Sequence, residues 1–150
     1  MPKSFETLPD YLVEALKKEV IVSMITVTSD SEPQVSAVSW VQASEDGKKV
    51  AIATGHKGSS ITNLENNPKI TLGVIANESY YSIKGIATVS DVEEKSMKYR
   101  VITVDVKEVE DAIFYGGKIV QEPVYEKTYD PKLIEKLDNE VNELLTEYLK

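Results

Sequence analysis

The stretch Ala53-Thr54-Gly55-His56-Lys57-Gly58-Ser59-Ser60 concentrates groups that can hold an anion. A β-rich run ends at Thr54, glycines stand at 55 and 58, and Ser59-Ser60 opens a short helix that Asn67-Pro68 stops. The first amides of a helix lack intrahelical acceptors and lie at the positive end of its dipole. Strand, loop and helix start together therefore make a cradle for a phosphate. Thr54, Ser59 and Ser60 add hydroxyl donors, and Lys57 adds a charge-assisted one. His56, the only histidine, is either a further phosphate donor or an ordinary loop residue. A strand-to-helix turn capped by serine accounts for the same residues without a ligand.

Little else in the chain points to chemistry. There is no cysteine, which removes disulfides, thiolate metal sites, iron–sulfur clusters and cysteine nucleophiles together. A lone histidine without carboxylates at ligand spacing makes no metal site. No Ser-His-Asp set or carboxylate pair stands out, and Asp91, Glu93 and Glu94 read as charges at a helix start. Trp40, the only tryptophan, reads as core, with a ligand-edge or subunit contact as the alternative. Tyr80 and Tyr81 are adjacent in a strand, so one faces in and the other out.

The charge balance narrows the partners. There are 17 Lys plus Arg against 25 Asp plus Glu, a net charge of −8. Such a surface repels nucleic-acid backbones and anionic lipid, so neither is expected as a partner. No apolar run reaches the roughly 18 residues of a membrane span, and the N-terminus carries no targeting or lipidation motif. A cytoplasmic protein is the expectation.

The elements that must position the loop follow from periodicity. The 150 residues fit one domain. Thr7 reads as the N-cap of a helix over 8–19, with Asp10 as its capping-box partner. Strands are expected at 20–28, 34–43 and 49–54, joined by turns at 29–33 and 45–47. After the loop and its helix, strands resume at 69–76, 80–89 and 99–109, with a short helix between the last two. Asp130-Pro131 opens a C-terminal helix over about 131–149, whose apolar face holds Leu133, Ile134, Leu137, Val141, Leu144, Leu145 and Tyr148. The result is mainly β with flanking helices, six antiparallel strands closing into a small barrel. Residues 111–129 show no readable pattern.

In order and spacing, the stretch from Thr54 to Asn67-Pro68 resembles the phosphate loop of the pyridoxamine 5′-phosphate oxidase-like flavoproteins. Pro33-Gln34-Val35-Ser36-Ala37-Val38-Ser39-Trp40-Val41 is similar to that family's flavin-lining strand, and Ser82-Ile83-Lys84-Gly85-Ile86-Ala87 to its glycine-bearing strand. The likeness covers residues 8–109. It implies an FMN-binding split β-barrel, working as a homodimer with the flavin at the two-fold interface. FMN contacts would then come from Ser36, Val38, Ser39 and Trp40, from Ala53 and Thr54, and from His56, Lys57, Ser59 and Ser60. Tyr80 would approach from the partner subunit, and Lys84 would contribute charge. The family's basic phosphate-binding positions fall here on Ser36, Val41, Ser59 and Ser60, and the oxidase's C-terminal segment has no counterpart. Pyridoxamine 5′-phosphate oxidase activity itself is therefore not expected. An FMN-dependent oxidoreductase of unknown substrate is the first reading. A binding module for a deazaflavin, haem or no cofactor is the alternative.

Overall fold

The computed structural model describes residues 4–150. Met1 to Lys3, part of the N-terminus read above as free of targeting motifs, lie outside the described residues. The elements are β1 (Ser4–Phe5), α1 (Asp10–Lys17), β2 (Val22–Val27), β3 (Pro33–Val38), β4 (Val41–Ala43), β5 (Lys49–Gly55), α2 (Ser59–Asn66), β6 (Lys69–Ala76), β7 (Ser79–Val89), β8 (Glu93–Glu94), β9 (Lys98–Asp111) and α3 (Pro131–Tyr148).

The strands form one antiparallel sheet in the order β3-β2-β6-β7-β9-β5-β4. The strand expected at 34–43 is broken at Ser39-Trp40. Its first half pairs with β2, Ser36 opposite Met24, and its second with β5, Val41 opposite Ile52. Because β3 and β4 are continuous in the chain, the two ends of the sheet are joined through them and six main strands curl into a barrel. The two-residue strands β1 and β8 add to β9. The β6–β7 hairpin turns on Asn77 and Glu78, whose φ values of 50° and 63° are those of a type I′ turn.

The interior is filled by alternating residues such as Met24, Leu72, Ile83, Ile52 and Ile102, all buried. Leu12, Val13 and Leu16 of α1 close one end, and Ile61 and Leu64 of α2 the other. A second core lies outside the barrel. There α3 packs Leu137, Val141, Leu144 and Leu145 on Ala51, Ala53, Tyr99 and Val101. Val101 and Ile102 are consecutive and both buried because β9 has a core on each face.

Three local expectations need correction. Pro9, not Thr7, occupies the α1 N-cap, and no side chain caps that end. Glu93 and Glu94 form β8 rather than a helix. A tight turn, Lys95 N–H to Met97 C=O at 2.9 Å, folds them back onto Lys98 and Tyr99. Leu133 is exposed, so the α3 apolar face is narrower than its sequence implies. The start of α3 is as expected: the Asp130 carboxylate accepts from the Lys132 N–H at 3.0 Å, with Pro131 in the first turn.

Polar contacts lock α3 to the barrel. Trp40 Nε1 donates to Asp138 at 2.9 Å, and the buried Tyr99 hydroxyl donates to Glu140 at 2.8 Å. Glu140 also accepts from the Ser96 N–H at 2.9 Å. Desolvation pushes the Glu140 pKa up, but these hydrogen bonds outweigh it and hold the carboxyl below its ordinary value. A depressed carboxylate contributes stability that is present above its unfolded pKa and lost as pH falls through the folded one. Glu140→Gln should therefore lower the melting temperature near neutral pH. That deficit should close below the ordinary carboxylate range, whereas a pH-independent deficit in thermal melts would contradict the assignment.

Gly85 marks the register shift between β7 and β9. A Cβ there would lie 2.4 Å from the Asp105 carbonyl oxygen and 2.5 Å from Val104 Cγ1. Gly85→Ala is therefore expected to destabilise by about 1–3 kcal/mol through overpacking, or about 2–4 °C per kcal/mol for a domain this size. Gly58→Ala, with no atom within 4 Å of its would-be Cβ, should leave the melting temperature nearly unchanged. Equal melting temperatures for the two variants would refute the steric account.

Candidate functional site

The 55–58 loop leaves the end of β5 and feeds α2 at the barrel rim. The expected serine cap is not made. Gly58 takes the N-cap position, at φ −77° and ψ 149°, and no side chain caps α2. Ser59 and Ser60 turn toward β3 instead. Gln34 Nε2 donates to Ser59 Oγ at 2.7 Å, and the Ser36 and Ser60 hydroxyls stand 3.4 Å apart. Asn63 Nδ2 donates to both Thr26 Oγ1 and Gln34 Oε1 at 3.0 Å. Buried Thr26, Ser60 and Asn63 thus belong to a polar seam that fixes α2 against the β2–β3 hairpin.

The mouth of the loop is open. No atom lies within 4 Å of an added Cβ at Gly55 or Gly58. Lys57 is exposed and His56 half-buried. Among the described residues Lys57 makes no ion pair. Thr54 Oγ1 donates to the Gly55 carbonyl at 3.1 Å, so that hydroxyl is turned onto its own backbone.

Sequence reasoning missed one basic group nearby. Arg100, the chain's single arginine, pairs in register with Thr54 on the adjacent strand. Its Nε donates to the Ser90 carbonyl at 2.8 Å, and its Nη2 lies 3.8 Å from Glu65 on α2. Nothing local in the sequence marks it, because strand pairing alone carries it there.

The structure brings Ser36, Ser59 and Ser60 together, with Thr54, His56 and Lys57 adjoining them. The other expected residues stand elsewhere. Trp40 faces α3, its ring at 5.8 Å and 75° to Tyr99, and Ala53 belongs to the same outer core. Ser39 lines a small groove of about 100 Å³ beside Trp40. Val38 packs on the interior core. Tyr80 and Lys84 lie on β7, three strands from β3, or about 14 Å at the usual strand spacing. The Tyr80 hydroxyl covers Gly73, where a Cβ would come within 2.2 Å of it. Lys84 is exposed at the edge of an open groove of about 960 Å³ that also includes Tyr81, Ser82, Asp111, Phe114 and Tyr115.

A second polar cluster gave no sequence signal. Lys127, in the unreadable 111–129 stretch, is clamped between Glu19 and Asp138, the latter at 2.6 Å, with its ammonium 5.5 Å from the Trp40 ring centroid. Burial alone would lower the Lys127 pKa, but the two carboxylates outweigh that and raise it. The Tyr125 hydroxyl is buried nearby with no hydrogen-bond partner. No helix among the described residues is long and apolar enough to cross a membrane.

No curated protein matches this sequence. Solved structures share its fold. A provisionally named pyridoxamine 5′-phosphate oxidase from Lactobacillus delbrueckii superposes with a TM-score of 0.61 at 18% identity, covering 72% of this chain and 97% of that one. An F420 reductase superposes at 0.55 and 18% identity, covering 68% and 98%. The haem storage protein HutZ of Vibrio cholerae superposes at 0.53 and 11% identity, covering 68% and 93%. These likenesses establish the split barrel. The family model described as pyridoxamine 5′-phosphate oxidase matches residues 8–113, from the start of α1 to just past β9, leaving the following segment and α3 outside it. Spanning well over half of the sequence, that match shows that the chain belongs to the pyridoxamine 5′-phosphate oxidase family.

Proposed function

We propose that this chain is an FMN-binding flavoprotein, a flavin-dependent oxidoreductase of unknown substrate that holds the FMN phosphate at the 55–60 loop. The observation that carries the reading is the uncapped start of α2, facing open ground with an unpaired Lys57 beside it. Amides without side-chain acceptors suit the phosphate's oxygens, and the Ser59 and Ser60 hydroxyls can rotate toward the same anion. Ser36 steadies Ser60 from β3. Lys57 supplies the nearest free charge, and Arg100 a second one that Ser90 and Glu65 partly occupy. FMN, when bound, supplies the redox chemistry, while the protein binds and orients it.

Pairing of two copies completes the site. The outer face of β3-β2-β6-β7 presents Val35, Ala37, Ser23, Ile25, Thr71, Gly73 and Ser82, and none of the three helices packs on it. Tyr80 and Lys84 lie on this face, so they reach a 55–60 loop only from a second copy. A two-fold homodimer accommodates this. Sedimentation with FMN present should return twice the chain mass of 16.7 kDa. A monomer at micromolar concentration would refute the pairing.

A second reading is a non-flavin ligand on the same barrel. It is favoured by the serines at the family's basic positions and by the likeness to an F420 reductase and a haem storage protein. The visible spectrum of the purified protein separates flavin from haem.

The phosphate anchor is tested by titration. A charge-assisted hydrogen bond is worth about 1.5–3 kcal/mol, so Lys57→Ala should weaken FMN binding roughly tenfold to a hundredfold. Ser60→Ala should cost less, because the backbone amides remain. Riboflavin, lacking the phosphate, should bind weakly and respond little to Lys57→Ala. Fluorescence quenching with both ligands reads all of this, and unchanged FMN affinity in Lys57→Ala would rule out the loop as anchor.

A further inference from the structure

Residues 112–130 form a strap without regular secondary structure between β9 and α3. Its first part is tied to the start of β7, where the Ala112 and Ile119 N–H groups donate to the Tyr80 and Glu78 carbonyls at 2.7 and 2.8 Å. Beyond Ile119 the tether changes in kind. Among the described residues, no backbone group from 120 to 129 joins a turn, ladder or cap hydrogen bond. The side-chain fastening of this half is the Lys127 ammonium. Val120 and Val124 stand in solvent at 89% and 86% exposure, so neither holds the half down by burial.

That fastening is made at one point. Asp138 Oδ1 accepts from both Lys127 Nζ, at 2.6 Å, and Trp40 Nε1, at 2.9 Å, and Glu19 pairs with the same ammonium. Tyr125, two residues before Lys127, carries a buried hydroxyl with no hydrogen-bond partner. Burial pushes its pKa up. A phenol left so costs free energy that water returns on opening. Desolvating Lys127 together with its two carboxylates costs free energy as well. One charged contact therefore holds this half closed against two desolvation penalties, the balance of an element that opens on its own while the rest stays folded.

The strap meets the barrel at the seam where β3 passes to β4. Ser39 and Trp40 there line a groove of about 100 Å³, well below the roughly 300 Å³ at which ligand pockets begin. A larger space of about 520 Å³ lies beside the strap, lined by Glu19, Tyr125, Lys127 and Ile134. Glu19 lines both, and Lys127 bridges it to Asp138 on the wall of the smaller one. Releasing that bridge joins the two. The seam also adjoins the 55–60 loop. The Ala53 N–H donates to the Trp40 carbonyl at 3.0 Å, and Gly55 follows two residues, about 7 Å, along β5. We propose that Lys127 is a releasable latch, closing the strap over Ser39 and Trp40 and shutting the ring end of a cofactor held at the 55–60 loop out of that seam. The gate rests on the flavin reading; the latch does not. A ligand that needs this ground binds only the open form, so its apparent affinity and its association are reduced by the fraction closed.

Lys127→Glu sets three carboxylates against one another and should open the strap. Glu19→Lys added to it restores the same set of charges and should close the strap again. Trp40, the only tryptophan, reports both states. Acrylamide quenching of its fluorescence should steepen about twofold in Lys127→Glu and return to the parent value in the double variant, with far-ultraviolet circular dichroism unchanged throughout. Quenching that is unchanged in Lys127→Glu, or not reversed by Glu19→Lys, overturns the latch. Stopped-flow association of FMN then tests the gate. Lys127→Glu makes the chain more negative, which by itself slows a phosphate-bearing ligand. Association about threefold faster or more in that variant supports the gate, and equal or slower association overturns it while the latch stands. Flavin bound by none of the three chains overturns the flavin reading and the gate together, and the quenching still decides the latch.

Discussion

One strand has to serve two neighbours, and the rest of the molecule is arranged around that requirement. A six-strand sheet left open would present two edges of unpaired amides and carbonyls. Here the chain from Pro33 to Ala43 covers the β2 edge with its first half and the β5 edge with its second. Such a hand-over cannot be made by a regular strand, so the ladder breaks at Ser39-Trp40. The Ala53 N–H donates to the Trp40 carbonyl at 3.0 Å, holding the seam together just before β4 begins. The break also turns Trp40 outward. Its indole becomes the point where β9, α3 and the segment before α3 meet, through Tyr99, Asp138 and Lys127.

The first half of the same strand sets up the candidate site. Gln34 and Ser36 pair with Thr26 and Met24, so their side chains point to the interior side of the rim, where α2 sits. A polar seam at this place fixes the helix in direction as well as position, because Asn63 must meet Thr26 and Gln34 together. An apolar contact would have allowed α2 to slide or rotate. The uncapped amides at its start are consequently held over one spot. That rigidity matters more here than in a site rich in arginine, because backbone donors bind an anion well only when they converge.

Much of this was legible in the sequence, and the failures have particular causes. β-branched content marked β2, and alternation marked most of β9, which has one face on the interior core. Asp130-Pro131 marked α3 because its cap uses only local atoms. Thr7 and the Ser59-Ser60 pair failed as caps because backbone geometry placed Pro9 and Gly58 at those positions, and the serines had better partners on β3. Glu93 and Glu94 carry a helix-start composition, yet a neighbouring strand edge captured them. Trp40, read as core, does pack on a core, while the resemblance also gives it and Ala53 a cofactor position; that the core lies outside the barrel depends on a helix about ninety residues away in sequence. Arg100 was invisible for the same reason: only the β5–β9 register sets it opposite Thr54.

The strap was the least readable stretch because its order comes from two charged or polar anchors and not from any periodic pattern. At one end it hangs from the start of β7; at the other Lys127 is clamped between Glu19, just beyond α1, and Asp138 on α3. A half-buried lysine is a poor way to gain stability, since desolvating three charges costs much of what their attraction returns. Its advantage is selectivity of position. An apolar side chain would tolerate several placements along the groove beside Ile134, whereas an ammonium with two carboxylates and an indole face has only one that satisfies all of them. Fixing Lys127 therefore fixes the length of chain available between it and Ala112. A strap of set length, pinned at both ends, keeps the turn at Phe114 and Tyr115 beside the start of β7.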